Sequence, residues 1–279
     1  MFGAILTSPV NLLPVYVLNS ATVRKSVYVV ADEEFVTKVY SARELESALQ
    51  HGAKVIEIAA DFKIDRTLYV GADTEIFARS PRTLTRAEDF AGDIFVVGET
   101  RKGEASDEAV TFTLGNETSS RKDLLVIDGN KANMEVDVKG SAIFTCKNSK
   151  TDIHNVDFIN HKKVGNEKAL DSKYSLSYPE LAGGAMAILT TGSTMNIYGG
   201  TYSNNDVNTS TSTGTSYYGG GFYNFGTMNV YGGTFSSNRA SRAGAIYNYR
   251  VLNIHNATFK SNYAASNGGA IYMPSSTGA

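Results

Sequence analysis

No tryptophan occurs in these 279 residues, cysteine occurs once, and charge all but vanishes from the last third of the chain. The lone Cys146 excludes an intramolecular disulfide framework and a cysteine-based zinc site, and reads as a small core residue beside Ile143 and Phe144. From Ala182 onward only five of 98 residues are charged: Asp206, Arg239, Arg242, Arg250 and Lys260. A formal net charge of −2 argues against nucleic acid as a partner and gives no pull toward an anionic membrane. The opening run lacks positive charge until Arg24, whereas a secretory signal carries basic residues ahead of its apolar core. Residues 1–25 therefore read as a signal remnant, or as a linker or first strand. Pro9 and Pro14 oppose a membrane-spanning helix there, and no membrane insertion is expected.

What the chain has in quantity is repetition. An eleven-residue phrase reads MNIYGGTYSNN from Met195, MNVYGGTFSSN from Met228 and LNIHNATFKSN from Leu252, with a worn copy, TDIHNVDFINH, from Thr151. A second phrase interleaves with it: GGAM from Gly183, GGGF from Gly219, AGAI from Ala243 and GGAI from Gly268. A fixed period of ~24 residues signals a solenoid. Within the phrase every second residue is large and apolar, as in a half-buried strand. Such a coil is too short for a strand–helix–strand repeat and fits three short strands with turns. Stacked at ~4.8 Å, Ile197, Val230 and Ile254 form one interior ladder and Tyr202, Phe235 and Phe259 another. Asn205, Asn238 and Asn262 then line a turn, each amide bonding a neighbouring coil. The expected fold is all-β, a parallel β-helix.

These paired signatures, G-G-A followed by an aliphatic residue and F-x-x-N, resemble the repeats of the chlamydial polymorphic outer membrane proteins and of related bacterial surface proteins. The matches are residues 268–271, the degenerate 243–246 and 183–186, then 235–238 and 259–262. The resemblance covers about residues 150–279. It implies a right-handed β-helical passenger, secreted or displayed at a bacterial cell surface and often adhesive, with a host-cell protein or glycan as partner. No C-terminal barrel follows, so further domains or coils are expected beyond Ala279.

Residues 26–279 read as one continuous solenoid, with a capping helix at 41–52, irregular coils at 54–150 and regular coils at 151–279. Residues 26–40 resemble a strand pair around Asp32-Glu33-Glu34. The segment SARELESALQHG is the best helix: Ser41 and Glu44 make a capping box, Tyr40 and Leu45 a hydrophobic staple, and Gly52 a stop. Its face of Leu45, Ala48 and Leu49 suits it to cover the exposed end of the first coil. Residues 79–93 and 99–108 carry most of the local charge and read as loops.

Two copies of the repeat are overlong, and both excesses fall after the asparagine turn. Stacked coils place equivalent turns on one edge, so these insertions should protrude side by side, and insertions on one face often bind. The first, residues 161–181, carries Tyr174 and Tyr178 with Lys162, Lys163, Lys168 and Lys173; the second ends in Tyr217 and Tyr218. Tyrosine on small polar loops suits contact with sugars or proteins, because it brings area with little rotamer entropy. The competing view has those tyrosines packed on the coil below.

Catalysis by a β-helix needs clustered carboxylates. The nearest candidates are Glu135 and Asp137 on one strand, with Asp152 and Asp157 on the following coil. They alternate with apolar residues, so they point outward, as any solvated strand face does. His154 and His255 share the repeat position of Tyr198 and Tyr231; three coil steps hold them ~14 Å apart, too far for one metal ion. No metal and no cofactor is expected. The favoured reading is an adhesin-type or structural surface segment without catalytic activity; the alternative is a polysaccharide lyase or glycoside hydrolase working in a lateral groove.

Overall fold

The computed structural model describes residues 35–116, 125–164, 184–207 and 218–274, with the backbone of two short strands, Leu13–Pro14 and Tyr28–Val29. Contacts divide the chain into Met1–Phe35 and Val36–Ala279. In the first unit Leu13–Pro14 pairs antiparallel with Tyr28–Val29. The strand pair expected within residues 26–40 is replaced by other partners, because Val36–Val39 pairs in parallel with Val55–Ile58.

The second unit is a parallel β-helix. Its first sheet runs through eight strands from Val36–Val39 to Val251–Ile254, its second through seven from Phe62–Ile64 to Thr258–Lys260, and its third through seven from Leu68–Val70 to Ile271–Tyr272. A fourth sheet joins Lys162–Lys163, Asp206–Val207, Arg239–Arg242 and Tyr263–Asn267. The later coils thus carry four strands where three were expected, since the stretch after each asparagine turn also finds its counterpart in the next coil.

Register follows the repeat. Ile56, Ile76, Leu114, Ile153, Ile197 and Val230 pair in succession and form one interior column, which Ile254 continues, 40% exposed, on the last described coil. In the second sheet Phe158, Tyr202, Phe235 and Phe259 stack, with Tyr202–Phe235 and Phe235–Phe259 centroids each 4.8 Å apart. Burying each such ring contributes roughly 1.5–3 kcal/mol. The core is therefore a set of columns, each side chain touching its own kind above and below.

The first coil is covered by the helix Ala42–Gln50. Ser41 Oγ accepts from the Glu44 amide at 3.2 Å, and the Glu44 carboxylate accepts from the Tyr40 amide at 2.8 Å, which closes the helix start. Tyr40 remains 56% exposed, so that hydrogen bond takes the place of the expected hydrophobic staple. Leu45, Ala48 and Leu49 join the main core, and Gly52 ends the helix at φ +71°.

Asparagine holds the corner after the second sheet. The Oδ1 of Asn238 accepts from the Asn205 amide at 3.1 Å, and its Nδ2 donates to the Tyr202 carbonyl at 2.8 Å, both one coil earlier. Asn205 and Asn262 repeat the pattern on their own preceding coils. The residue before each turns through left-handed backbone, at Asn204, Ser237 and Ser261, as does Asn160 before His161 at the equivalent corner. That conformation is accessible to asparagine and strained for β-branched side chains.

Two charged stretches are less loop-like than their composition implies. Residues 79–93 contain the strand Arg82–Arg86, and residues 99–108 contain the hairpin of Glu99–Arg101 with Glu104–Ala105. Asn238→Ala removes one clamp from a fully buried corner and orphans the Asn205 amide, so it should cost roughly 2–4 kcal/mol in urea unfolding. Asn253→Ala, on the exposed outer face of the last described coil, should cost below about 1 kcal/mol in the same assay.

Candidate functional site

The two insertions leave from paired strands and return to paired strands. Lys163 is the register partner of Val207, and Ala187 that of Phe222, so the described strands on either side of residues 165–183 and of residues 208–217 are paired between adjacent coils. No extra coil is hidden in the first, because Asp152 pairs directly with Asn196. Tyr174, Tyr178 and Tyr217, with Lys168 and Lys173, lie outside the described residues. Tyr218 is placed, and it is only 8% exposed. Its ring packs 4.5 Å from Tyr247, and the Arg242 guanidinium lies 5.5 Å over it. Tyr218 thus packs on the coil below instead of standing out, because it already bridges in parallel to Arg242.

The four candidate acids are distributed, not gathered. Glu135 and Asp137 are exposed but not in a strand; they follow a short 3₁₀ turn, Lys131–Asn133, between the second and third sheets. Asp137 pairs with Lys139 at 3.7 Å. Asp152, on the first sheet, is 8% exposed, with Lys150 Nζ at 2.6 Å and Asn196 Nδ2 at 2.7 Å. Asp157 lies on the second sheet and accepts from the Thr201 amide at 2.6 Å. Asp152 and Asp157 each tie their own coil to the next, so both are committed to the stack. Among the described residues no three of histidine, cysteine, aspartate and glutamate gather into a metal site.

The outer face of the first sheet carries two rows that the repeat sets one position per coil. Asn196, Asn229 and Asn253 form an amide ladder on Asp152, with Nδ2···Oδ1 distances of 2.7, 2.8 and 2.8 Å. Two residues on, His154, Tyr198, Tyr231 and His255 stack at centroid distances of 4.4, 5.1 and 4.8 Å, within 10° of parallel. The histidines thus end a ring stack whose two middle members are tyrosines. Beyond this row the glycine pairs 199–200 and 232–233 leave a cleft of about 350 Å³ at the corner. Gly200 and Gly233 sit at φ +99° and +113°, and a Cβ on Gly200 would meet the Val156 carbonyl oxygen at 2.2 Å, so the turn itself excludes side chains from the cleft floor.

A second polar group centres on three buried residues, Arg86, Ser141 and Lys163, with the half-buried Asp93 beside them. Arg86, 1% exposed, donates to the carbonyls of Phe90, Gly92 and Ser141. Asp93 accepts from the Ser141 amide at 2.6 Å, while Lys163 Nζ donates to Ser141 Oγ at 3.1 Å. Burial lowers the Lys163 ammonium to about 8 and raises the Asp93 carboxyl. Lys163 is therefore a core residue and not a loop lysine. His161 belongs to the same region: it occupies the asparagine position of Phe158-x-x-His161, and its Nε2 lies 3.1 Å from the Ile127 carbonyl that an asparagine would engage. Burial, then the nearby Arg86 charge, pushes its pKa down to about 3. Arg86 and Asp93 carry no sequence signal for this; the broken F-x-x-N at His161 does.

Residues 256–274 match the Chlamydia polymorphic membrane protein repeat, a family associated with the bacterial outer membrane and its surface. The matched stretch contains Phe259–Asn262 and Gly268–Ile271 of the last described coil, the phrases that carry the resemblance in sequence. No curated protein and no solved structure matches the chain. Among the described residues no helix is long and apolar enough to cross a membrane.

The histidine yields a pH test. Below about pH 6.5 the unfolded chain takes up a proton that folded His161 refuses until about pH 3, so stability declines across that interval. His161→Asn restores the residue that the repeat uses elsewhere. The stability of the variant relative to the parent should therefore improve by about 2 kcal/mol between pH 7.5 and pH 5 in chemical denaturation.

Proposed function

We propose that this chain is a surface-displayed recognition segment of a bacterial protein, adhesin-type and without chemistry of its own. The paired insertions at residues 165–183 and 208–217 are its contact surface, and a host-cell protein or glycan is its partner. One observation carries the reading: both insertions leave and rejoin the solenoid at register-paired positions of neighbouring coils. Rigid strands on either side fix where the two insertions start and end, which supports a contact surface shared between them. The polymorphic membrane protein repeat at residues 256–274 supports a surface location. Tyr174, Tyr178 and Tyr217 are the proposed contacts; Tyr218 contributes by holding the return of the second loop against Tyr247.

The test is binding of the purified chain to host cells and to a glycan array. Replacing Tyr174, Tyr178 and Tyr217 together with serine should weaken retention at least about tenfold with an unchanged far-ultraviolet spectrum. Tyr218→Phe, which keeps the buried ring, should bind as the parent does. Undiminished binding by the triple variant would overturn the assignment to these loops.

A further inference from the structure

The corner cleft beside the Tyr198–Tyr231 stack lies on a different edge from the insertions, and its chemistry is that of a separate site. Its two walls repeat coil by coil. One wall is the ring stack: Tyr198 and Tyr231 are 42% and 41% exposed, and because their faces cover each other, solvent meets their edges. The other wall is the column Thr201, Thr234 and Thr258, which are register partners at the head of the second-sheet strands. None of these three hydroxyls is engaged by another described residue, although each can donate once and accept twice. The floor is glycine at residues 199–200 and 232–233, held empty by the left-handed turn, and passes to Asn256 and Ala257 on the last described coil. Among the described residues no charged side chain lines the cleft.

From this we infer that the cleft binds a neutral, linear, extended polysaccharide, one sugar ring per coil, along the solenoid axis. The occupant follows from three constraints. A site whose polar groups recur at the coil rise of ~4.8 Å selects a polymer that advances by nearly that much per unit, as an equatorially linked pyranose chain does, with alternate rings turned over so that like hydroxyls meet the site at every second coil. An extended peptide rises ~3.3 Å per residue and presents like side chains every second residue, so it drifts out of phase after one coil. Nucleic acid and acidic polysaccharides need cations that the lining does not supply. Hydroxyl rows facing aromatic edges suit the equatorial hydroxyls of a sugar, and a polar groove with few apolar faces binds weakly per unit and gains with length. Three threonines set the useful length at three units.

The probes are cellohexaose and chitohexaose, with their trimers, glucose, maltohexaose and a galacturonate hexamer as comparisons, titrated into the whole chain and followed by calorimetry and tyrosine-ring NMR. The expected result is saturable binding of one of the two hexamers, matched within a few-fold by its trimer, with no binding of glucose, maltohexaose or the acidic chain up to about 10 mM. The double variant Tyr231→Phe with Thr234→Val keeps ring stacking and β-branching but removes two hydroxyls. It should weaken binding at least about tenfold with an unchanged thermal midpoint. A single Thr258→Val, at the exposed end, serves as a second reading if the double variant folds poorly, and should lower affinity several-fold. Failure of both hexamers to bind, equal binding of maltohexaose, or undiminished binding by both variants would overturn the inference. The loop variant Tyr174, Tyr178 and Tyr217→Ser leaves this binding intact, so the two surfaces fail or succeed separately.

Discussion

Each strand of the solenoid has its nearest partner one coil away, in parallel and in register, and this single constraint governs the rest. Sequence neighbours stabilise little here; a residue is held by its counterpart 19 to 48 positions distant. In-register stacking places identical groups 4.8 Å apart, which rewards side chains that pair with their own kind and penalises those that repel it. Aromatic rings, aliphatic branches and carboxamides all satisfy that condition. Like charges do not, which accounts for an almost charge-free set of later coils, where Asp206 and Arg239, of opposite sign, are register partners. Glycine and left-handed asparagine or serine take the bends, where a branched residue would meet the backbone of the coil before it.

The asparagine corner shows how closely the constraint is drawn. One carboxamide bridges an amide and a carbonyl of the preceding coil, satisfying two buried backbone groups with a side chain of fixed length. Where the series begins, histidine stands in the same place and reproduces one of the two links, its Nε2 lying 3.1 Å from the Ile127 carbonyl of the preceding coil. Its other ring nitrogen, Nδ1, is buried without a hydrogen-bond partner, so the substitution preserves geometry at the expense of one unsatisfied polar atom. The early coils replace repetition by individual solutions such as the Arg86, Asp93, Ser141 and Lys163 group, which knits the irregular crossings between the second and third sheets from within.

The later coils were legible because their information is periodic. The alternation in residues 195–198 sets which side chains face inward, and the recurring phrase sets which residues meet, so the Ile197, Val230 and Ile254 column could be read directly. The asparagine bonds followed from the same alignment. Much of the rest depends on partners that no local pattern names. Arg82–Arg86 looks like a charged loop until Leu84 is paired with Phe62 and Ile127, which puts Arg86 inside. Lys163 reads as part of a lysine-rich insertion until it is paired with Val207. Tyr218 is a loop tyrosine by position and a packed residue by its bridge to Arg242. Glu135 and Asp137 alternate like a strand, yet their backbone bonds go to Glu88 and, through the neighbouring Lys139, to Ala91 in a wide turn.

The amide ladder on the outer face has a further consequence. All three links run the same way: every Nδ2 is directed toward the earlier coil and every Oδ1 toward the later one. Dipoles aligned head to tail add, as peptide units do along an α-helix, and each polarises the next. The positive pole of this array falls on the carboxylate of Asp152, the one anion in the row, while the negative pole is carried by the oxygen of Asn253. A column of uncharged side chains thereby acquires a sense of direction, and the outer face of these later coils, otherwise built of equivalent steps, is electrically polar along this row.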